Sequence, residues 1–310
     1  MIHLFIQSML ENLIKRSGAM KHSLYIVLAG CLWGIIAIFV KVLTGLGLSS
    51  MECVAVRVSL STILLLLYIL VTDPQKLKIQ PKDIVCFLGT GLCSILFFSF
   101  CYFKAIEKIG GAAVPALLLY TAPIFVMILS ACFFKEKITK RKMICLIATF
   151  IGLGFVTGAF SGGEKISAVS FLLGLGSGLG YALYSIFGKF IAERYDAMTI
   201  TFYTFLVASI GAIPLSGIAF HLQVFGNVKG IVAAVGLAFL STALPFLLYT
   251  KGLQGIEAGK AAILATVEPF VAAVVGALVF GEHFDLPKIV GMLLILFAIT
   301  FLNLGSCSQT

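Results

Sequence analysis

The chain has 310 residues, of which 60% are hydrophobic and 11% charged, with a mean hydropathy of +1.12 and a formal charge of +9. Soluble domains carry about 25% charged residues, so this composition excludes a water-soluble globular protein. Connections of about a dozen residues at most also exclude a sizeable domain outside the membrane. In chain order, residues 1–22 form an N-terminal cytoplasmic or interfacial segment. Ile2, Phe5, Met9 and Leu13 recur at helical spacing, which suits an amphipathic helix lying in the interface. A start at Met20, whose MKHSLYIVLAG leads from basic into apolar residues, is the equal alternative. Apolar runs of bilayer-crossing length then follow at 23–43, 51–71, 84–103, 111–134 and 142–159, and again at 167–190, 197–217, 230–250, 258–280 and 288–304. Transmembrane strands alternate and are about ten residues long; these runs are continuous, so the expected fold class is an all-α integral membrane protein with ten helices. Residues 305–310 form a C-terminal tail.

The positive charge is arranged as a topology signal. With the N-terminus in the cytoplasm, inner segments hold 15 Lys and Arg, outer segments hold 6, and Arg57 lies within a span, which accounts for all 22. The positive-inside rule then places both termini in the cytoplasm, of a bacterial-type plasma membrane, with no nucleic-acid role. Lys135 to Lys142 is the densest inner cluster and reads as topogenic, with anionic lipid as a secondary contact.

A repeat joins the halves. LLLYTAPIFVMILSACFFKE (117–136) matches the stretch ending at Glu282 at a shift of 146, which pairs Pro123 with Pro269 and Glu136 with Glu282. Tyr102 and Lys104 meet Tyr249 and Lys251 at 147, and Trp33 and Lys41 meet Tyr181 and Lys189 at 148. The drift reads as small loop deletions in one copy. The units are 23–159 and 160–304, and because each crosses five times, the second starts on the opposite face and is inverted. Inverted repeats around a midplane site are a transporter arrangement.

The order of LWG (32–34), TAP (121–123), FFKE (133–136), VEP (267–269) and VFGE (279–282) resembles the EamA-type branch of the drug/metabolite transporter superfamily, over residues 23–304. The resemblance implies a ten-helix transporter, usually an exporter of amino acids or other small metabolites, with a central cavity lined by both halves. It names no solute.

Two charges stand out inside the spans. Arg57 costs about 2.5–3.5 kcal/mol at mid-span, so it faces a partner or a cavity, and its guanidinium offers a fork for a carboxylate; a snorkelling structural role is the alternative. Glu268 precedes Pro269, expected to free carbonyls in the preceding turn. It would bind an amine, carry a proton or pair with Arg57. Their repeat counterparts are Thr204 and Ala122, so one copy supplies the cation and the other the anion, as a zwitterionic solute or a structural ion pair would require. Trp33, Tyr181, Tyr102, Tyr120 and Tyr249 are candidate walls of a solute site. Pro123, Pro269, Glu136 and Glu282 are candidate gating or structural residues, the two acids placed near water at the ends of the fourth and ninth spans.

Catalysis finds no support. No Lys precedes Ser or Thr, so a Walker A loop is absent, and there is no HExxH or GxSxG. The eight cysteines include no CxxC pair, and no metal, disulfide or other cofactor is expected. The reading is a secondary transporter whose partners are a small solute, membrane lipid and, as an open coupling ion, a proton. A membrane-embedded ligand-binding or sensor protein without net transport is the alternative. Oligomeric state is not readable.

Overall fold

The computed structural model describes residues 2–110, 113–161, 166–218, 221–283 and 285–304; the expected tail at 305–310 lies outside them. The chain is helical throughout these residues. We number the long helices α1 (Gly18–Gly45, extended back to Ile2), α2 (Ser50–Thr72), α3 (Pro81–Ile109), α4 (Val114–Phe134), α5 (Lys140–Thr157), α6 (Ala168–Ile191), α7 (Ala197–Ser216), α8 (Val228–Leu253), α9 (Ala258–Phe280) and α10 (Leu286–Leu304). Nine of them, all but α5, are apolar and long enough to cross a bilayer among the described residues. Helix α5 opens with Lys140, Arg141 and Lys142 before its apolar run.

Helix boundaries follow local chemistry. Ser49 and Glu52 make a reciprocal capping box at the start of α2, with Glu52 N–H donating to Ser49 Oγ (3.2 Å) and Ser49 N–H to Glu52 Oε2 (2.7 Å). Thr139, Ser167 and Asp196 cap α5, α6 and α7 from one side only, each side chain accepting from the N–H three residues on. Helices α3, α5, α7 and α9 stop on Gly110, Gly158, Gly217 and Gly281 with φ between 70° and 82°, the left-handed ending that glycine adopts without steric cost.

The packing is an exchange between halves. Helix α3 packs on α6 and α8 on α1; α4 packs on α6 and α9 on α1; α2 pairs with α7, α5 with α10 and α4 with α9. Replacing every helix by its counterpart five places on returns the same set of contacts. Each half therefore buries its apolar faces mainly against the other. Two wider π-helical turns recur in step, at Gly89–Leu96 of α3 and Phe239–Ala243 of α8. Such turns come from single-residue insertions and concentrate at functional sites.

The outer surface is apolar. Leu67, Leu172, Ile210, Val232 and Leu278 are all more than half exposed, a lipid-facing pattern for the nine apolar helices found among the described residues. The interior is dense, with Phe205, Leu237 and Ile263 wholly buried.

Candidate functional site

Both α4 and α9 are broken about a third of the way along. Helix α4 consists of Ala113–Leu119 and Ala122–Phe134, and α9 of Ala258–Leu264 and Val267–Phe280. The interruption in α9 falls in the turn before Pro269, where the sequence placed the disturbance, and that in α4 falls in the matching turn before Pro123. Pro123 and Pro269 lie in the first turn of the second piece, where a missing N–H has no intrahelical partner to lose. The interruption sits before them, and a threonine answers it in each case. Thr121 donates to Leu118 O (2.6 Å), and Thr266 donates to Ile263 O.

Each break is approached by a glycine of the other half. A Cβ on Gly30 of α1 would fall 2.9 Å from Ala265 O, and one on Gly178 of α6 would fall 2.9 Å from Leu118 O. Gly30 and Gly178 are 148 residues apart, the same shift that relates Trp33 to Tyr181. Only glycine permits this approach, and it carries Trp33 and Tyr181 to the centre of the bundle.

At that centre Trp33 is 6% exposed and its ring lies 5.0 Å from Phe246, 5.4 Å from Tyr249 and 6.2 Å from Tyr181. The Tyr181 hydroxyl donates to Glu268 Oε2 at 3.4 Å, and Tyr120 lines a cavity together with Tyr181. Tyr249 and Ser185 share a hydrogen bond of 2.7 Å, and Tyr184 and Thr250 one of 2.6 Å. Tyr102 sits beside Phe103, at 5.5 Å between rings, and is only partly buried.

Arg57 is 8% exposed and its Nε has no hydrogen-bond partner. Its guanidinium lies 5.9 Å from the ring centre of Phe98, and Phe98 in turn lies 5.7 Å from Tyr181. Arg57 and Glu268 are thus joined through Phe98 and Tyr181 and form no direct ion pair within 4.0 Å among the described residues. The structural ion pair entertained from the sequence is not made. Two cavities of about 10 Å³ each adjoin the cluster, one beside Tyr120, Tyr181 and Thr266, the other beside Trp33, Phe98 and Phe246.

Phe98 and Phe246 were not singled out in the sequence: at the offset of 147 that Tyr102 and Tyr249 set for this helix, Phe98 meets Pro245 and Phe246 meets Ser99, so the repeat did not mark them.

The two acids at the span ends differ from each other. Glu136 is not near water: its side chain is 8% exposed, Oε1 accepts from Ala258 N–H (2.7 Å) and Oε2 from Gly259 N–H (3.1 Å). Glu282 does meet water, being 52% exposed, with Lys288 at 3.5 Å. Lys142 also departs from the topogenic reading, since it is 6% exposed and pairs with Glu257 at 2.6 Å.

Two segments of the chain, 20–158 and 168–304, each match the profile of the EamA-like transporter family. An uncharacterized transporter of Archaeoglobus fulgidus is 31% identical over 206 residues, 66% of this chain and 72% of that protein. The uncharacterized inner membrane transporter YicL of Salmonella typhimurium is 24% identical over 92% of this chain and 96% of its own. A solved crystal structure superposes with a TM-score of 0.78 at 17% identity, covering 93% of this chain and 99% of that one, a likeness of fold alone.

Proposed function

Because the chain belongs to the EamA-like transporter family, we propose that it is a secondary transporter that exports a small amphiphilic metabolite, such as an amino acid, by alternating access. The observation that carries this reading is the central cluster: a buried guanidinium without a hydrogen-bond partner at Nε, a carboxyl held by tyrosine, and a wall of aromatic rings beside two broken helices. Broken helices at midplane expose backbone for solute binding in transporters. Arg57 takes the solute's anionic group, Glu268 takes its amine or a coupling proton, and Trp33, Tyr181, Tyr102, Tyr120 and Tyr249 enclose its apolar body. The cavities of about 10 Å³ hold no more than about one water each, so admitting a solute requires the surrounding helices to move apart.

The arrangement is ten crossings in two inverted repeats, with α5 as the fifth. Its three basic residues lie at one end, where they reach the interface, and its packing against α10 mirrors that of α2 against α7. With 15 basic residues on one side and 6 on the other, both termini face the cytoplasm. Rocking of one half against the other would turn a cavity open to one face into its mirror image.

The test is uptake of a metabolite mixture into inverted vesicles holding only the purified protein, read by mass spectrometry with and without a pH gradient. Accumulation of one chemical class is expected. Glu268→Gln should abolish any response to the gradient while solute binding persists. Binding without net flux would overturn the transport reading in favour of a sensor.

A further inference from the structure

The residues that hold Glu136 in place belong to a larger set, and the set occurs twice. Around the start of α9, Glu136 accepts the Ala258 and Gly259 N–H groups. Lys142 Nζ lies 2.6 Å from Glu257 and donates to Lys137 O at 3.0 Å, with Glu136 at 4.0 Å. Lys189 of α6 donates to Leu253 O (2.8 Å) and Ile256 O (2.9 Å), the two carbonyls of the turn leading into α9. One carboxylate and two ammonium groups thereby tie the ends of α4, α5 and α6 to the α8–α9 turn. A carboxylate at a helix N-terminus is favoured both by the free N–H groups and by the helix dipole.

Glu136 and Lys142 recur 146 residues later as Glu282 and Lys288, and Lys189 recurs 148 residues earlier as Lys41. Because α4 ends where α9 begins, the end of α9 lies at the opposite end of the bundle, and the second set stands there. It is not assembled. Glu282 is 52% and Lys288 26% exposed in the side chain, and they are 3.5 Å apart. Lys41 is exposed and rests 3.4 Å from the ring centre of Phe280 in α9. The same three residue types are closed at one end and open at the other.

We propose that these are the two latches of one transport cycle. Glu136, Lys142 and Lys189 fasten the start of α9; Glu282, Lys288 and Lys41 fasten the start of α4; and only one set is closed at a time. The structure holds the Glu136 latch shut. This rests on the alternating-access reading, and it adds the residues that hold each end closed. In the other state, Glu282 turns to the first N–H groups of α4, Lys41 leaves Phe280 for the carbonyls of Ile106 and Ile109 at the end of α3, the counterparts of Leu253 and Ile256, and Glu136 and Lys189 let go of α9.

Hydrogen–deuterium exchange on the full-length protein in nanodiscs tests this without labels. Glu136→Gln should raise exchange at residues 253–262 by about tenfold, the effect of one lost charge-assisted hydrogen bond. It should also lower exchange at residues 113–119, at the far end. Glu282→Gln, on the exposed side and so neutral for folding, should do the reverse, raising protection at 253–262. The double variant should return both ends toward the unmodified protein. A cap that is merely structural changes exchange locally and leaves the far end alone, and that result with both single variants would overturn the proposal. Net flux measured on the same preparations keeps the two readings apart. Flux with no coupling between ends removes the latches and leaves transport standing, whereas coupling with no flux for any metabolite removes transport.

Discussion

Replacing Arg57 by methionine separates a solute-binding guanidinium from a structural one. If Arg57 were half of a buried ion pair, its removal would orphan a carboxylate and cost about 3–5 kcal/mol, readily seen as a lower melting temperature. The structure gives it no such partner: no ion pair within 4.0 Å among the described residues, an Nε without an acceptor, and the ring of Phe98 at 5.9 Å. Exchanging a buried guanidinium that has no ion-pair partner for an apolar side chain of similar length is therefore expected to leave stability unchanged or raise it. Binding should suffer instead. A charge-assisted hydrogen bond contributes about 1.5–3 kcal/mol, so losing the contact to an anionic group weakens affinity by about 10- to 150-fold. Trp33 is the only tryptophan and its ring lies 6.2 Å from that of Tyr181, so its fluorescence reports both binding and unfolding in one cuvette. Using the solute identified from the vesicle screen, Arg57→Met should give a melting curve at or above that of the unmodified protein and a right-shifted titration. A lower melting temperature with unchanged affinity would refute the reasoning and make Arg57 a structural residue.

Two further predictions concern the scaffold. Gly178→Leu places a Cβ 2.9 Å from Leu118 O at the break in α4; overpacking of this kind costs about 1–3 kcal/mol, and folded yield in detergent should fall, while Gly45→Ala, which meets nothing within 4 Å, should be neutral. Asp196, at the start of α7, tests the acid limb of stability. Burial pushes its carboxyl up, but Lys76 at 2.8 Å and the Thr199 N–H at 2.8 Å outweigh this and hold it below its ordinary value of 3.8. A depressed carboxyl stabilises the fold above its unfolded value and loses that contribution as pH falls through the folded one. Melting temperature should therefore decline on acidification below about pH 4, and Asp196→Asn should flatten that decline; an unchanged acid limb would show that Asp196 contributes nothing to it.

The extent of each helix was legible because crossing a bilayer demands a length of apolar residues that nothing else in the chain mimics. The runs at 51–71 and 258–280 differ from α2 and α9 by no more than one residue at either end. The break in α9 was legible, since it falls in the turn before Pro269, and the pairing of Pro123 with Pro269 puts its twin in α4. The approach of Gly178 and Gly30 to the two breaks, beside the threonine bonds to Leu118 and Ile263, was not, because it joins helices far apart in the sequence. Lys142 misled for a related reason. A lysine among lysines reads as a solvated charge until the fold brings Glu257 to it from 115 residues away.

The two copies explain why the candidate site is found where the repeat fails. Matching positions such as Gly30 and Gly178 meet equivalent surroundings, each against the broken helix of the other half. A symmetric scaffold has no preference for one end of a solute over the other. Thr204, the counterpart of Arg57, spends its hydroxyl on Thr90 at 2.7 Å, and Ala122, the counterpart of Glu268, is 1% exposed and apolar. Neither counterpart offers a charge to a ligand. On the proposed reading, orientation of an asymmetric solute would therefore come from Arg57 and Glu268. The same logic runs the other way for Glu136 and Glu282, where both copies keep the charge. On the proposed alternating-access reading, identical groups at opposite ends suit an alternation between two states of similar energy: the repeat would be retained where both ends close in turn and abandoned where a single solute is held one way round.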